Sequence, residues 1–201
     1  MELLYKIKDR VQQESIDYIE ENRSSVVKNN QKTLFALNII YFVVVVGYLL
    51  ASLTVFSEWQ VTGVYARAVA VHLVVLPIII IRYRKKTRSY KEVSIVCKVF
   101  QLYVMTFAGI MSIVPTEMNQ PAVYYMPMAV AFVVAFTYTF YQALELVLLE
   151  MAVYVLASFL TKSIEVFSVD LFSCIFGTIL AGYVAKILYS YRASENEAKQ
   201  R

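Results

Sequence analysis

The chain has 201 residues and a net charge of +4, with 59% hydrophobic residues, 17% charged residues and a mean hydropathy of +0.58. Soluble domains average roughly half apolar and a quarter charged residues, so this composition excludes an ordinary soluble domain. The positive charge lies beside long apolar segments, as the topology of a membrane protein requires, and we therefore predict no nucleic-acid partner.

The first 32 residues are polar, with six basic and six acidic side chains. Their apolar positions form a stripe of roughly seven-residue period, made of Leu3, Leu4, Ile7, Val11, Tyr18 and Ile19. This pattern predicts a cytoplasmic amphipathic helix, with a break at Asn29-Asn30 before the membrane. Such a helix either lies on the inner leaflet or pairs with another helix, and the stripe is too short to decide between them.

Six apolar segments follow, each near the length of about 20 residues that crosses a hydrocarbon core as a helix. Their limits are 33–56, 61–81, 93–115, 121–141, 144–161 and 169–189. Because hydrocarbon offers no partner to an exposed backbone amide, each segment is predicted to be helical. The predicted fold is all-α, a polytopic bundle of six transmembrane helices in a lipid bilayer, with domains 1–32, 33–191 and 192–201.

The distribution of basic residues predicts the orientation of this bundle. The segments 1–32 and 82–91 hold six basic residues each, whereas the alternate connections hold Lys162 together with the acidic Glu58, Glu117 and Glu165. Basic residues concentrate on the cytoplasmic side of membrane proteins. We therefore predict a multi-pass protein of the cell membrane with both termini in the cytoplasm.

Ionisable groups inside predicted spans are functional candidates, because burying them in lipid is costly. The second span and the start of the fourth predict an outward-opening pocket for a small anionic or amphiphilic ligand, lined by Tyr65, Arg67, His72, Tyr124 and Tyr125. The structural alternative is that Arg67 reaches the head groups or pairs with Glu117 or Asp170, while His72 bonds to a neighbouring helix.

Two further polar features lie deep in the predicted bundle. Lys98 and Glu150 have opposite charges and similar predicted depth, which predicts a structural ion pair. Glu150, Tyr154, Ser158 and Thr161 follow one another at helical spacing and predict a polar stripe that faces the bundle interior rather than lipid. We interpret this stripe as contact between helices in preference to a transport path.

The sixth span carries small residues at every fourth position, Ser173, Gly177, Ala181 and Ala185. Small side chains at this spacing allow two membrane helices to approach closely. The row predicts either a homodimer interface or close packing inside the same bundle, and the sequence does not choose between them.

Catalytic signatures are missing from the sequence. It contains no phosphate-binding Gly-rich loop, no His-Glu-x-x-His pair, no Gly-x-Ser-x-Gly elbow and no Cys-x-x-Cys pair. We predict no catalytic residue, no metal site and no cofactor in this chain.

The stretch Glu20-Glu21-Asn22-Arg23 before the first span, six spans with minimal loops, and the charged exit 191–201 together form a layout that resembles a known family. They are similar to the six-helix sensor regions at the N-terminus of bacterial GGDEF diguanylate cyclases, which make cyclic di-GMP. The resemblance implies a sensor and dimerisation module coupled to a cyclase domain beyond residue 201, although the GG[D/E]EF signature is absent from these residues. The alternatives are the substrate-binding component of a vitamin-type importer and a membrane anchor for another protein.

Overall fold

The computed structural model describes residues 2–56, 59–84, 89–113 and 125–200. These residues form seven α-helices and contain no strand. The helices are α1 (Glu2–Glu21), α2 (Arg23–Ala51), α3 (Trp59–Arg84), α4 (Tyr90–Met111), α5 (Tyr125–Ala135), α6 (Phe140–Thr161) and α7 (Ile164–Gln200), with a π-helical turn at Ser52–Phe56 after α2. The all-α prediction is confirmed.

Five of the described helical segments are long and apolar enough to cross a membrane. They are Arg23–Thr54, Thr62–Ile81, Tyr90–Met111, Phe140–Thr161 and Ile164–Arg192. Large apolar side chains on these helices are more than half exposed, among them Ile40, Leu73, Val99, Leu160 and Phe172. An apolar surface of this extent fits contact with lipid rather than with water.

The fourth predicted span, 121–141, differs from the observed helix. Residues 121–124 lie outside the described part, α5 ends at Ala135, and residues 136–139 form a buried non-helical connection. The 11 residues of α5 cover about 17 Å, roughly half the thickness of a hydrocarbon core. Apolar composition continues past Ala135, but a capping box at Thr139 and Gln142 starts the next helix there.

The first helix also ends earlier than predicted. Its break falls at Asn22, and α2 runs without interruption through Asn29-Asn30, so the predicted break at these two residues is wrong. The physical reason is that Asn30 faces inward and uses its side-chain amide in a tertiary contact instead of ending the helix. Val11 and Ile19 of the predicted stripe are buried, whereas the side chains of residues 1–8 lie outside the description.

The helices pack as two groups joined by α4. In one group α2 packs against α3, and in the other α5 and α6 pack against α7. α4 contacts α2, α5 and α6, while α1 packs along α7 and also touches α2 and α6. This arrangement brings the start of α6 and the last part of α7 together at the end of the bundle where α1 lies.

Candidate functional site

The connection between α5 and α6 is buried and its backbone is held by a side chain from α2. The Asn30 Nδ2 group donates to the Thr137 carbonyl oxygen at 3.0 Å, and the Thr137 N–H donates to Asn30 Oδ1 at 2.9 Å. Asn30 is 1% exposed and Thr137 is 8% exposed. A non-helical backbone can lie inside an apolar bundle only when its polar groups are paired, and Asn30 provides that pairing.

Side chains of α1 accept hydrogen bonds from the first backbone N–H groups of α6. The Phe140 N–H donates to Ser15 Oγ at 3.0 Å, and the Tyr141 N–H donates to Gln12 Oε1 at 2.9 Å. The first N–H groups of a helix have no partner within that helix. Two of them are therefore satisfied by side chains more than 120 residues away in sequence, and the Tyr141 hydroxyl donates to Asp9 Oδ1 at 3.0 Å.

The last part of α7 joins the same region. The Tyr189 hydroxyl donates to the Tyr138 carbonyl oxygen inside the α5–α6 connection. The Arg192 guanidinium lies 5.9 Å from the centroid of the Tyr18 ring on α1 and 5.7 Å from the Tyr189 ring. We call this region the α1 junction and define it by Asp9, Gln12, Ser15, Tyr18, Asn30, 136–141, Tyr189 and Arg192.

A second polar cluster, the Asp170 cluster, lies at the opposite end of α6 and α7. One carboxylate oxygen of Asp170 accepts from Lys162 Nζ at 2.7 Å, from the Ser158 hydroxyl at 2.7 Å and from the Tyr154 hydroxyl at 2.8 Å. The side chains of Lys162 and Asp170 are both 0% exposed. Three donors converge on one oxygen in a water-poor site, and charge-assisted bonds of this type are strong.

Two residues of the polar stripe predicted on the fifth span, Tyr154 and Ser158, take part in this cluster. Glu150, Tyr154 and Ser158 are buried, which confirms that they face the bundle interior. Thr161 is exposed and its hydroxyl donates back to the Ala157 carbonyl oxygen.

The structure separates the predicted ligand-pocket residues. Tyr65 is 9% exposed and stacks on Tyr48, whereas His72 is fully buried with its Nδ1 atom 3.2 Å from the Tyr103 hydroxyl of α4. Arg67 is exposed and lines a groove of about 190 Å³ between α3 and α4. The remaining two, Tyr124 and the side chain of Tyr125, lie outside the description, as does Glu117.

Arg67 is therefore not joined to Tyr65 and His72 in one pocket. A helical wheel places Arg67 on a different face of α3 from His72 and Tyr65, and neither of those two residues lines the groove beside Arg67. The groove beside Arg67 is lined by Val64, Ala68, Val71, Tyr103, Thr106, Phe107 and Ile110. Of the predicted alternatives, the contact of His72 with a neighbouring helix is observed, and Asp170 pairs with Lys162 rather than with Arg67.

The predicted ion pair between Lys98 and Glu150 is corrected. Neither carboxylate oxygen of Glu150 has a hydrogen-bond partner among the described residues. Lys98 Nζ lies 5.8 Å from the centroid of the Tyr138 ring. The acidic group that attracts its ammonium electrostatically is Glu145. Depth along a helix axis placed the two residues at one level, but it does not determine the direction in which either side chain points.

The row of small residues on α7 packs inside its own bundle. Ala181 is 1% exposed and Ala185 is 2% exposed, in a cluster with side chains of α1, α5 and α6. Gly177 is buried and Ser173 is partly buried. The predicted use of this row as a dimer interface is therefore wrong, since the neighbouring helices already occupy it. A homodimer by another face remains a prediction.

Comparison with known proteins identifies no relative. No family model matches the chain, and no curated protein or solved structure matches it. Within the described ranges, no group of three or more His, Cys, Asp or Glu side chains could hold a metal ion. The functional argument consequently rests on the α1 junction, the Asp170 cluster and the helix that connects them.

Proposed function

We propose that this chain is the membrane sensor and transmitter module of a bacterial signalling protein, with α7 as its output element. The observation that carries the proposal is that one unbroken helix, Ile164–Gln200, holds Asp170 near one end and Arg192 near the other. These two residues are about 33 Å apart along the helix axis. α7 therefore connects a buried charged cluster with a contact to α1 on the far side of the bundle.

The contacts at both ends indicate how a signal would pass. The Asp170 cluster joins α7 to α6 through Lys162, so a ligand or field that weakens this pairing changes the fit between the two helices. Packed helices shift as rigid elements between discrete arrangements rather than bending continuously. A shift of α7 would move Tyr189 and Arg192 relative to α1 and the α5–α6 connection.

The proposal extends to the effector and to the ligand. The resemblance of the layout to sensor regions of GGDEF cyclases supports a diguanylate cyclase as the effector. The groove beside Arg67 supports a small anionic or amphiphilic ligand, because a permanently charged guanidinium lies at the edge of a mainly apolar groove. The same groove is the observation that favours the second candidate, a substrate-binding component of a small-solute importer.

The transmitter role predicts that output depends on the rotational phase of α7. A GGDEF domain fused after Gln200 should respond when alanines are added one at a time between Ser194 and Glu195, beyond the α1 junction. Each alanine rotates the fused domain by about 100° and advances it by about 1.5 Å. We expect the cyclase activity of the purified chimera in bilayers to rise and fall with a period of about 3.6 residues.

The matched control inserts Gly-Ser segments of equal length at the same place, which interrupt the helix and should remove the periodicity. A cyclase activity that is the same at every alanine insertion would contradict the transmitter role. That result is what the importer alternative predicts, since a binding component has no output through α7.

The proposed orientation has its own test in cysteine labelling on intact cells. Lys91 and Glu165 are exposed residues at opposite ends of the bundle, and the two natural cysteines are buried. We expect an impermeant maleimide to label the Glu165→Cys variant and to leave the Lys91→Cys variant unlabelled until the cells are opened. Labelling in the reverse order would place both termini outside the cytoplasm.

A further inference from the structure

Glu150 is a carboxylate placed about 15 Å along α6 from Phe140, within a segment that can cross a membrane. It is 5% exposed, and neither of its carboxylate oxygens has a hydrogen-bond partner in the described part of the chain. Gln101 of α4 lies next to it and is 1% exposed, and its side-chain amide is a neighbouring donor that does not complete a hydrogen bond to the carboxylate. The two carboxylate oxygens of Glu150 are thus buried without a hydrogen bond to the described residues.

Glu150 lines a cavity of about 100 Å³ between α4 and α6. The wall around it is mainly apolar, formed by Leu102, Met105, Thr106, Gly109, Ile110, Ile113, Val153, Tyr154 and Ala157. The cavity lies where α4 and α6 come close, since a Cβ atom on Gly109 would be 3.4 Å from Tyr154 Cδ2. Organic ligands occupy cavities of about 300 to 1,000 Å³, so this one is suited to a much smaller guest.

The lysines of the neighbouring helices do not neutralise this carboxylate. Lys162 is engaged with Asp170 at 2.7 Å, and Lys98 lies over the Tyr138 ring. An ionised carboxylate in a low-dielectric interior is unfavourable unless a positive charge accompanies it. A buried carboxylate without a positive partner, beside a small cavity, is the arrangement that receives such a charge from outside the chain.

We propose that Glu150 forms a binding site for a monovalent cation, either a proton or Na⁺, in the cavity between α4 and α6. This inference stands apart from the proposed sensor role, because it concerns a different site and requires no output domain. It assigns Glu150 the task of holding an exchangeable positive charge inside the bundle.

Infrared difference spectroscopy of the full chain in bilayers tests the proposal directly. The wild type is compared with Glu150→Gln, which keeps the size of the side chain, and with Glu145→Gln, which removes an exposed carboxylate of the same helix. If the cation is a proton, the wild type shows the C=O stretch of a protonated carboxylic acid, and only Glu150→Gln loses it. If the cation is Na⁺, exchanging choline chloride for NaCl shifts a carboxylate band that only Glu150→Gln lacks.

Labelling with an apolar carbodiimide, which reacts with protonated carboxyl groups, separates the two sources of charge. A proton site is labelled at Glu150 whether or not NaCl is present, whereas in a Na⁺ site NaCl lowers labelling several-fold relative to choline chloride. An ionised Glu150 whose infrared band is insensitive to Na⁺ overturns the proposal. That outcome would mean that a group of the chain itself neutralises the carboxylate.

Discussion

Replacing Asp170 by asparagine is expected to destabilise the bundle by about 3 to 5 kcal/mol, the range observed when one partner of a buried ion pair is removed. The substitution leaves the Lys162 ammonium, whose side chain is 0% exposed, without its carboxylate. The hydroxyls of Tyr154 and Ser158 also lose the charged acceptor that they share. The free energy of unfolding, measured in mixed micelles by denaturing-detergent titration, provides the test.

The two cysteines of the chain make this measurement specific. Cys97 and Cys174 are both free and buried, so a thiol-reactive dye labels the protein only when the bundle opens. Arg67→Gln serves as the control, because Arg67 is exposed and its replacement should change stability by less than about 0.5 kcal/mol. If Asp170→Asn were as mild as this control, the ion pair would not hold α6 to α7.

A double variant separates the charge from the packing. Changing Lys162 to methionine together with Asp170 to leucine removes both charges while keeping side-chain volume near that of the pair. Buried ion pairs replaced by apolar residues are often neutral in stability, so we expect the double variant to recover a large part of the loss. No recovery would show that the hydroxyl groups, rather than the unpaired charge, account for the cost.

Asn30→Ala is expected to cost about 2 to 6 kcal/mol by removing the partners of both Thr137 backbone groups, at about 1 to 3 kcal/mol for each buried group left unpaired. Its hydrogen bonds of 3.0 and 2.9 Å hold the connection between α5 and α6. The same thiol-accessibility titration applies, and Cys97 is a local probe because its thiol lies 3.9 Å from the Asn30 carbonyl oxygen.

The neighbouring residue supplies a matched control for this experiment. Asn29 is exposed on the same helix, so Asn29→Ala has an equal effect on helix propensity without touching the connection. We expect its free energy of unfolding to stay within about 0.5 kcal/mol of the wild type. Equal losses for the two variants would mean that the amide pairing of Asn30 contributes nothing beyond local helix preference.

Much of the fold could be predicted from the apolar runs in the sequence, because the thickness of a membrane sets a minimum apolar length for any helix that crosses it. The five long apolar helices fall where five of the predicted segments lie. The segment 121–141 shows the limit of this reasoning. Apolar composition does not reveal that the chain leaves the helix after Ala135, since Asn30 and Tyr189 replace the helical hydrogen bonds at 136–139.

Less of the candidate site than of the fold could be predicted from the sequence, because the residues that form the site come together from distant parts of the chain. Gln12 and Ser15 are unremarkable polar residues on a predicted amphipathic helix, and nothing local connects them with the start of α6. Lys162 was interpreted as a charge of an outer loop. It precedes Asp170 by eight positions across the short connection between two helices, and this spacing could have suggested that the two residues pair.

The sequence by itself determined that this is a helical protein with an apolar surface fit for lipid, and which residues had to avoid that lipid. Hydrophobicity and charge are properties of single residues and of their spacing along the chain, so both patterns can be interpreted without knowledge of the fold. Only the tertiary structure decided which partner each polar residue meets. Asp170 pairs with Lys162 rather than with Arg67, and Glu150 lines a cavity rather than pairing with Lys98. Ala181 packs inside its own bundle. These partners depend on how each helix is rotated against its neighbours, because that rotation determines the direction of each side chain.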